Sequence, residues 1–357
     1  MRLEGKKPLV FIVDDVPENI QIALSHLGEL GCEFAYATSG EQALERIESR
    51  PPDLVLMDIM MPGMNGFETL QAMRKNIVLS SIPVIFLTAM ADPEDIARGF
   101  EIGGVDYITK PFHGAELRSR VRNHLEIHTC RENLEKKVLF RTRETELLKD
   151  IIIVAMGELA EHRDPETGGH IHRTRSFVKA LAEGLFEQGN FLEILTPEYI
   201  VLLYKTAPLH DIGKVAIPDS ILLKPARLTV EEFEEMKKHT VYGENVIAKL
   251  EKMAGEQIPY LQCAKEIVGS HHEKYDGSGY PRGQAGENIP LAGRIMAIAD
   301  VYDALTTKRP YKRALSHEET MEIMTEGRGS HFDPVVFDSF IIIEQQFNQI
   351  AEMNRDE

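Results

Sequence analysis

Between residues 166 and 300 the chain carries Glu166, His170, His210, Asp211, His239, His271, His272 and Asp300, imidazoles and carboxylates with no thiol in the set. Such oxygen and nitrogen donors suit iron, manganese, zinc or nickel, and the absent cysteine removes the commonest structural zinc arrangement. Neighbouring residues on a helix point about 100° apart, so the pairs His210-Asp211 and His271-His272 can each serve different metals or bridge them. Clustered metals sharing a hydroxide are a general device for breaking phosphodiester bonds. An isolated interior histidine is usually only a hydrogen-bonded core residue. His170, on one helical face with Thr174, Phe177, Val178 and Leu181, becomes a candidate ligand because partners accumulate around it. Glu166 and His170 are four residues apart, but Gly168 and Gly169 intervene, so helical geometry is not assumed between them.

Cations follow the same stretch. Lys214, four residues past His210, and Arg309 and Lys312 further on could hold phosphate oxygens, or could be solvated surface charge. Tyr280 could stack on a base or merely pack. Gly277, Gly279 and Pro281 shape a loop rather than do chemistry.

A second constellation lies nearer the start. Short apolar runs at 9–13, 54–57, 83–87 and 107–108, with a weaker one at 34–36, alternate with helical patterns, as in a doubly wound parallel sheet. Chemistry in such a sheet gathers at the carboxyl ends of its strands, where Asp14, Asp15, Asp58, Thr88 and Lys110 follow successive runs. Three converging carboxylates bind Mg²⁺ through hard oxygen ligands, while a lysine and a hydroxyl contact a phosphoryl group placed on one of them. One such aspartate alone could be a helix cap. Five groups in this order point to a site. Ser39 with Gln42 three residues on has capping-box spacing.

The elements that position these groups divide the chain into a segment 1–125, a connector 126–150 and a segment 151–357, where helical periodicity prevails and strand signals nearly vanish. The length of 357 residues favours two domains. Positions 124, 127, 131, 134, 138, 141, 145, 148, 152, 155 and 159 fall in alternating three- and four-residue steps, which predicts a coiled-coil helix and a parallel homodimer, although Arg131, Arg141 and Thr145 interrupt the seam. A formal net charge of −17 argues against coating DNA or an anionic membrane. Cys32, Cys130 and Cys263 are too dispersed for a disulfide framework, which fits a reducing cytoplasm. The run 9–13 is cut at once by Asp14 and Asp15, so no signal peptide is expected, and no apolar run approaches the roughly 20 residues that span a bilayer.

The first segment resembles the receiver domain of two-component response regulators, on Val13-Asp14-Asp15, the stretch Met57-Asp58 to Asn65-Gly66, Leu87-Thr88-Ala89 and Lys110-Pro111-Phe112. The resemblance implies Asp58 as phosphoacceptor, Asp14 and Asp15 as Mg²⁺ ligands, Thr88, Tyr107 and Lys110 as the switch, a cis bond before Pro111, and a cognate histidine kinase. The second resembles the HD-GYP family of HD phosphohydrolases. That likeness rests on Arg163-Asp164 with Thr167 and His170, His210-Asp211-Ile212-Gly213-Lys214, the histidine pair leading to Gly279-Tyr280-Pro281, Ala299-Asp300 to Leu305, Arg309-Pro310-Tyr311-Lys312, and Gly329-Ser330-His331-Phe332-Asp333-Pro334. Lys205-Thr206 departs from the small apolar residues usual there.

The two resemblances together imply an α/β receiver domain with a five-stranded parallel sheet, followed by an all-α HD-type domain that hydrolyses cyclic di-GMP through pGpG to GMP. They imply two or three divalent metals, iron or manganese, and Mg²⁺ in the receiver. Asp211 would be the central bridge, with His170, His210 and Asp300 on one side and His239, His271 and His272 on the other, and Glu166 admitting a third metal. Lys214, Tyr280, Arg309 and Lys312 would contact substrate, Asp211 and Lys214 being catalytic, and diguanylate cyclases are further partners. The alternatives are a hydrolase of cyclic GMP-AMP and a catalytically idle cyclic-dinucleotide sensor.

Overall fold

A computed structural model describes residues 7–89, 93–161, 169–308 and 313–353. They form two compact units, 1–144 and 145–357.

In the first unit the chain alternates β1 (Leu9–Val13), α1 (Pro17–Leu27), β2 (Glu33–Ala37), α2 (Gly40–Ser49), β3 (Leu54–Asp58), α3 (Gly66–Lys75), β4 (Val84–Thr88), α4 (Pro93–Glu101) and β5 (Asp106–Thr109), then enters α5 (Gly114–Glu161). All pairings are parallel, in the order β2-β1-β3-β4-β5. The strands are apolar because both faces are covered. Val10, Ile12, Leu54, Leu56, Ile85 and Leu87 pack with α1 and with Leu117, Val121 and Leu125 of α5. The alternating residues Phe11, Val13, Val55, Met57, Val84 and Phe86 pack on the opposite face with Ala43, Ile47, Phe67, Leu70 and Met73.

Register aligns the strand ends: Val13 pairs with Ala37 and Met57, Asp58 with Leu87, and Thr88 with Thr109. The loop after β3 turns back so closely that a Cβ on Gly66 would lie 2.2 Å from the Asp58 carbonyl oxygen, which reserves that position for glycine. Asn65 and Glu68 close a capping box at the start of α3, and Ser39 Oγ accepts from the Gln42 amide at the start of α2.

The second unit contains the end of α5, then α6 (His170–Glu187), α7 (Pro197–Thr206), α8 (Asp219–Leu222), α9 (Val230–Lys237), α10 (His239–Ala254), α11 (Pro259–Ser270), α12 (Leu291–Thr306), α13 (His317–Glu326), α14 (Pro334–Ile342) and α15 (Glu344–Met353). Among the described residues of this unit, the only β pairings are isolated bridges at Asp276 with Ala285 and at Arg328 with Phe332. Its core gathers Phe177, Leu181, Leu203, Ile267, Ile295, Ile298, Tyr302, Phe337, Phe340 and Phe347. The Phe177 ring stacks on Phe347 at 4.6 Å and meets Tyr302 edge-on at 5.2 Å. Burying an aromatic of this size stabilises by about 1.5–3 kcal/mol. Two turns from His170 on the same helix, Phe177 anchors the face that carries it.

The connector expected at 126–150 lies within one uninterrupted helix, α5, that begins earlier and ends later. Along it Ile127, Leu134, Val138, Leu148, Ile152 and Leu159 are all exposed. No helix among the described residues is long and apolar enough to cross a membrane.

Candidate metal centre and phosphoacceptor pocket

At the strand ends of the first unit, Asp14, Asp15 and Asp58 bring carboxylate oxygens within 4.8 Å of one another. Asp14 and Asp58 are buried. Lys110 Nζ lies 2.6 Å from Asp14 Oδ2 and 2.8 Å from Asp58 Oδ2, and the Lys110–Pro111 peptide is cis. Asp14 Oδ1 also accepts from the Val16 amide and the Asn19 side chain, each at 3.0 Å. Burial raises the Asp58 pKa and Lys110 opposes the rise only in part. Thr88 and Tyr107 line one small crevice beside this pocket, with the Tyr107 ring edge-on to Phe100. The arrangement can hold a cation among three carboxylates and sets the Asp58 carboxyl beside the Lys110 charge.

In the second unit the histidines sit where helices start or stop. His170 opens α6, His210 and Asp211 lie between two 3₁₀ turns, His239 opens α10, and His271 and His272 follow α11. A Cβ on Gly213 would lie 1.8 Å from the His239 carbonyl oxygen, so glycine alone lets the Asp211 turn press against α10.

Four imidazoles are oriented alike. Nδ1 of His210 lies 3.0 Å from Ala207 O, Nδ1 of His239 2.8 Å from Met236 O, Nδ1 of His271 3.1 Å from Ile267 O, and Nδ1 of His170 2.6 Å from Asp303 Oδ2. A carbonyl or carboxylate can only accept, so Nδ1 carries the proton and each Nε2 presents a lone pair. These lone pairs face one another, with Nε2 of His170 3.3 Å from that of His210 and Nε2 of His239 3.4 Å from that of His271. Asp211 Oδ1 is buried, 3.1 Å from His239 Nε2 and 3.6 Å from His271 Nε2. Buried imidazole nitrogens aimed at one another are what a cation would satisfy.

The donors fall into two sets of mutually close atoms. Asp211, His239, His271 and His272 form one, and Glu161, His170 and His210 form the other. Asp211 Oδ2 links them, 3.4 Å from His210 Nε2 and 2.8 Å from Lys214 Nζ. Against the cost of burial, the Lys214 ammonium holds Asp211 well below the usual carboxylate range. Burial holds His271 and His272 below the usual imidazole value, with the neighbouring histidines adding to it for His272, which keeps both neutral as ligation requires.

Asp300 joins neither set. It lies on α12, and its charge acts on His210, Tyr280 and His331. The Tyr280 ring lies 4.8 Å from the His272 ring, tilted by 35°, on a loop that Glu273 closes by accepting from the Arg282 and Gln284 amides. Glu166, Arg309 and Lys312 lie outside the described residues.

Two residues of the centre escape sequence reasoning. Asp303 is buried, accepts from Arg173 Nε at 2.6 Å and orients His170. Its signal is the three-residue step from Asp300 on α12, matched by the same step from His170 to Arg173 on α6. Glu161 ends α5, with Oε1 3.3 Å from His170 Nε2, and burial pushes its pKa up to about 7. No local pattern marks it.

A parallel α/β domain with an acidic pocket, followed by a helical domain whose histidines and aspartate converge at helix ends, defines a response regulator with an HD-type output domain. A family model described as a response regulator receiver domain matches residues 10–122, and one described as an HD domain matches residues 193–336. A probable cyclic di-GMP phosphodiesterase of Vibrio cholerae is 46% identical over 98% of this chain and 80% of its own length. The cyclic di-GMP phosphodiesterase response regulator RpfG of Xanthomonas campestris is 36% identical over 87% of this chain and 80% of its own. A 3'3'-cGAMP-specific phosphodiesterase of Vibrio cholerae is 37% identical over 65% of this chain and 42% of its own. The chain belongs to the family of cyclic di-GMP phosphodiesterase response regulators that combine a receiver domain with an HD domain.

Proposed function

We propose that this protein hydrolyses cyclic di-GMP through pGpG to GMP at a bi- or trinuclear centre of iron or manganese, under control of phosphorylation at Asp58. The observation that carries the reading is the pair of donor sets joined at His210-Asp211, with imidazole Nε2 atoms facing each other.

Divalent metals bound by these residues would supply an activated water near neutral pH and would polarise phosphate oxygens. Asp211, with Oδ2 toward His210 and Oδ1 toward His239 and His271, would hold metal between the two donor sets. His170 and His210 serve one side, His239, His271 and His272 the other, Asp300 acts at the edge of the His210 side, and Glu166 completes a third position. Lys214, held at Asp211, stabilises negative charge on the phosphate under attack, and Arg309 and Lys312 bind its other oxygens. Tyr280, beside His272, offers a ring for a guanine. In the receiver, Asp14 and Asp15 hold Mg²⁺, Asp58 accepts a phosphoryl group from a histidine kinase, and Thr88, Tyr107 and Lys110 respond to it. The exposed apolar seam of α5 supports a parallel homodimer.

Protein purified without oxygen and loaded in turn with iron(II), manganese or zinc should turn over cyclic di-GMP, with pGpG and GMP separated as products. Binding without turnover under every metal would instead support an idle sensor. The cyclic GMP-AMP relative favours a second reading, and faster turnover of cyclic GMP-AMP than of cyclic di-GMP in the same assay would establish it.

A further inference from the structure

We propose that Glu161, the last residue of α5, is itself a metal ligand, completing a site with His170 and His210. The inference rests on the metal-centre reading and adds a ligand from the helix that leads out of the receiver. The Glu161 side chain is only 7% exposed, its Oε1 lies 3.3 Å from His170 Nε2, and Oε1 accepts no hydrogen bond. One atom from each of Glu161, His170 and His210 lies within 4.8 Å of the others. His170 Nδ1 carries its proton toward Asp303, so the nitrogen facing Glu161 offers a lone pair, as does His210 Nε2. A carboxyl oxygen and two imidazole nitrogens, all buried and converging within ligand distance of one another, make a donor set that a cation would satisfy.

The rest of α5 in this unit fixes Glu161 in place. One turn back, a Cβ on Gly157 would lie 2.5 Å from the Pro208 carbonyl oxygen, so the helix runs in close contact with the turn that presents His210. Ile153 packs beside Leu209 and Val268. Lys205 Nζ reaches back to Glu146 at 2.9 Å and Asp150 at 3.2 Å, which gives a use to a lysine that departs from the family pattern. Glu161 is thus held by the same contacts that hold the His210 turn.

The competing account is a protonated Glu161 hydrogen-bonded to His170, a purely structural role. Metal counting separates the two, because Glu161→Gln keeps a hydrogen-bond donor but loses the anionic ligand. Full-length protein, purified anaerobically and saturated with iron(II), should retain about three ions per chain after desalting, and Glu161→Ala and Glu161→Gln about two. The Mössbauer spectrum of the variants should lack one component. Gly157→Ala, which changes no ligand, should weaken the same site by displacing the helix end. Wild-type iron content in both Glu161 variants, with unchanged melting temperature, overturns the proposal and leaves the Asp211 centre standing. Should wild type hold no iron at all, both readings fall. Glu166→Ala run alongside shows whether that residue shares the ion, and an iron loss there does not rescue a silent Glu161.

Discussion

Asp303 Oδ2 lies 2.6 Å from His170 Nδ1, joining α12 to the first residue of α6 across 133 positions of sequence. Arg173, one turn along α6, donates from Nε to the other oxygen at 2.6 Å, and together they hold Asp303 below the usual carboxylate range despite its burial. The carboxylate therefore stays ionised and pulls the imidazole proton to Nδ1, which raises the basicity of Nε2 toward the centre.

Asp303→Asn should weaken metal binding about 10–100-fold while leaving the ligands in place. Competition against a fluorescent chelator measures this. The melting temperature, taken on the same samples, separates it from the looser hold on Arg173. Affinity equal to wild type would reduce Asp303 to a packing role.

Asp211→Asn should abolish turnover and lower bound metal, because one neutral amide oxygen cannot replace a carboxylate placed between the two donor sets. Activity within about tenfold of wild type, in protein with an unchanged fold, would remove the metal-hydroxide mechanism.

In the receiver the sign of the pH effect follows from burial. The folded-state pKa of Asp58 is raised, so the folded chain binds a proton more tightly than the unfolded one. Stability from this group therefore falls as pH rises from the unfolded value through the folded one, and at neutral pH the ionised carboxylate is a net cost. Calorimetry at pH 7 without divalent ions should show the receiver transition of Asp58→Asn a few degrees above wild type. Millimolar Mg²⁺ should erase that gain by stabilising wild type. A lower transition for Asp58→Asn in both conditions would mean that Lys110 outweighs the burial cost.

The receiver was legible because its inner strands are buried on both faces and four of its five apolar runs are followed by a candidate site residue. Leu9–Val13 coincides with β1, and Asp14, Asp58, Thr88 and Lys110 fall at neighbouring strand ends. The histidines of the second unit could be picked out by type, yet their division into sets could not, since it depends on where five separate helix ends meet. Asp300 shows the difference: its type and setting in Ala299-Asp300 mark a ligand, but its oxygens join neither donor set. Glu161 was hidden for the opposite reason. It reads as one more acid on a charged helix, and only the fold of α5 against the His210 turn carries it inward.

Control by the receiver can be tested through α5. Within the first unit, Asp106 at the start of β5 pairs with Arg120 at 2.6 Å and approaches His124 at 3.1 Å, tying the last strand to this helix next to the Lys110 loop. A phosphoryl group on Asp58 would compete with Asp14 for Lys110 and draw Thr88 inward, which changes the packing under the first turns of α5. The apolar seam from Ile127 to Leu159 can carry that change as dimer association or helix register, and the same helix ends at Glu161. Beryllofluoride with Mg²⁺ should therefore alter the phosphodiesterase rate, the dimer fraction by analytical ultracentrifugation, or both, in wild type and not in Asp58→Asn. Unchanged rate and association in wild type would show that the receiver does not act through α5, and a response that survives in Asp58→Asn would place the effect of beryllofluoride outside the acidic pocket.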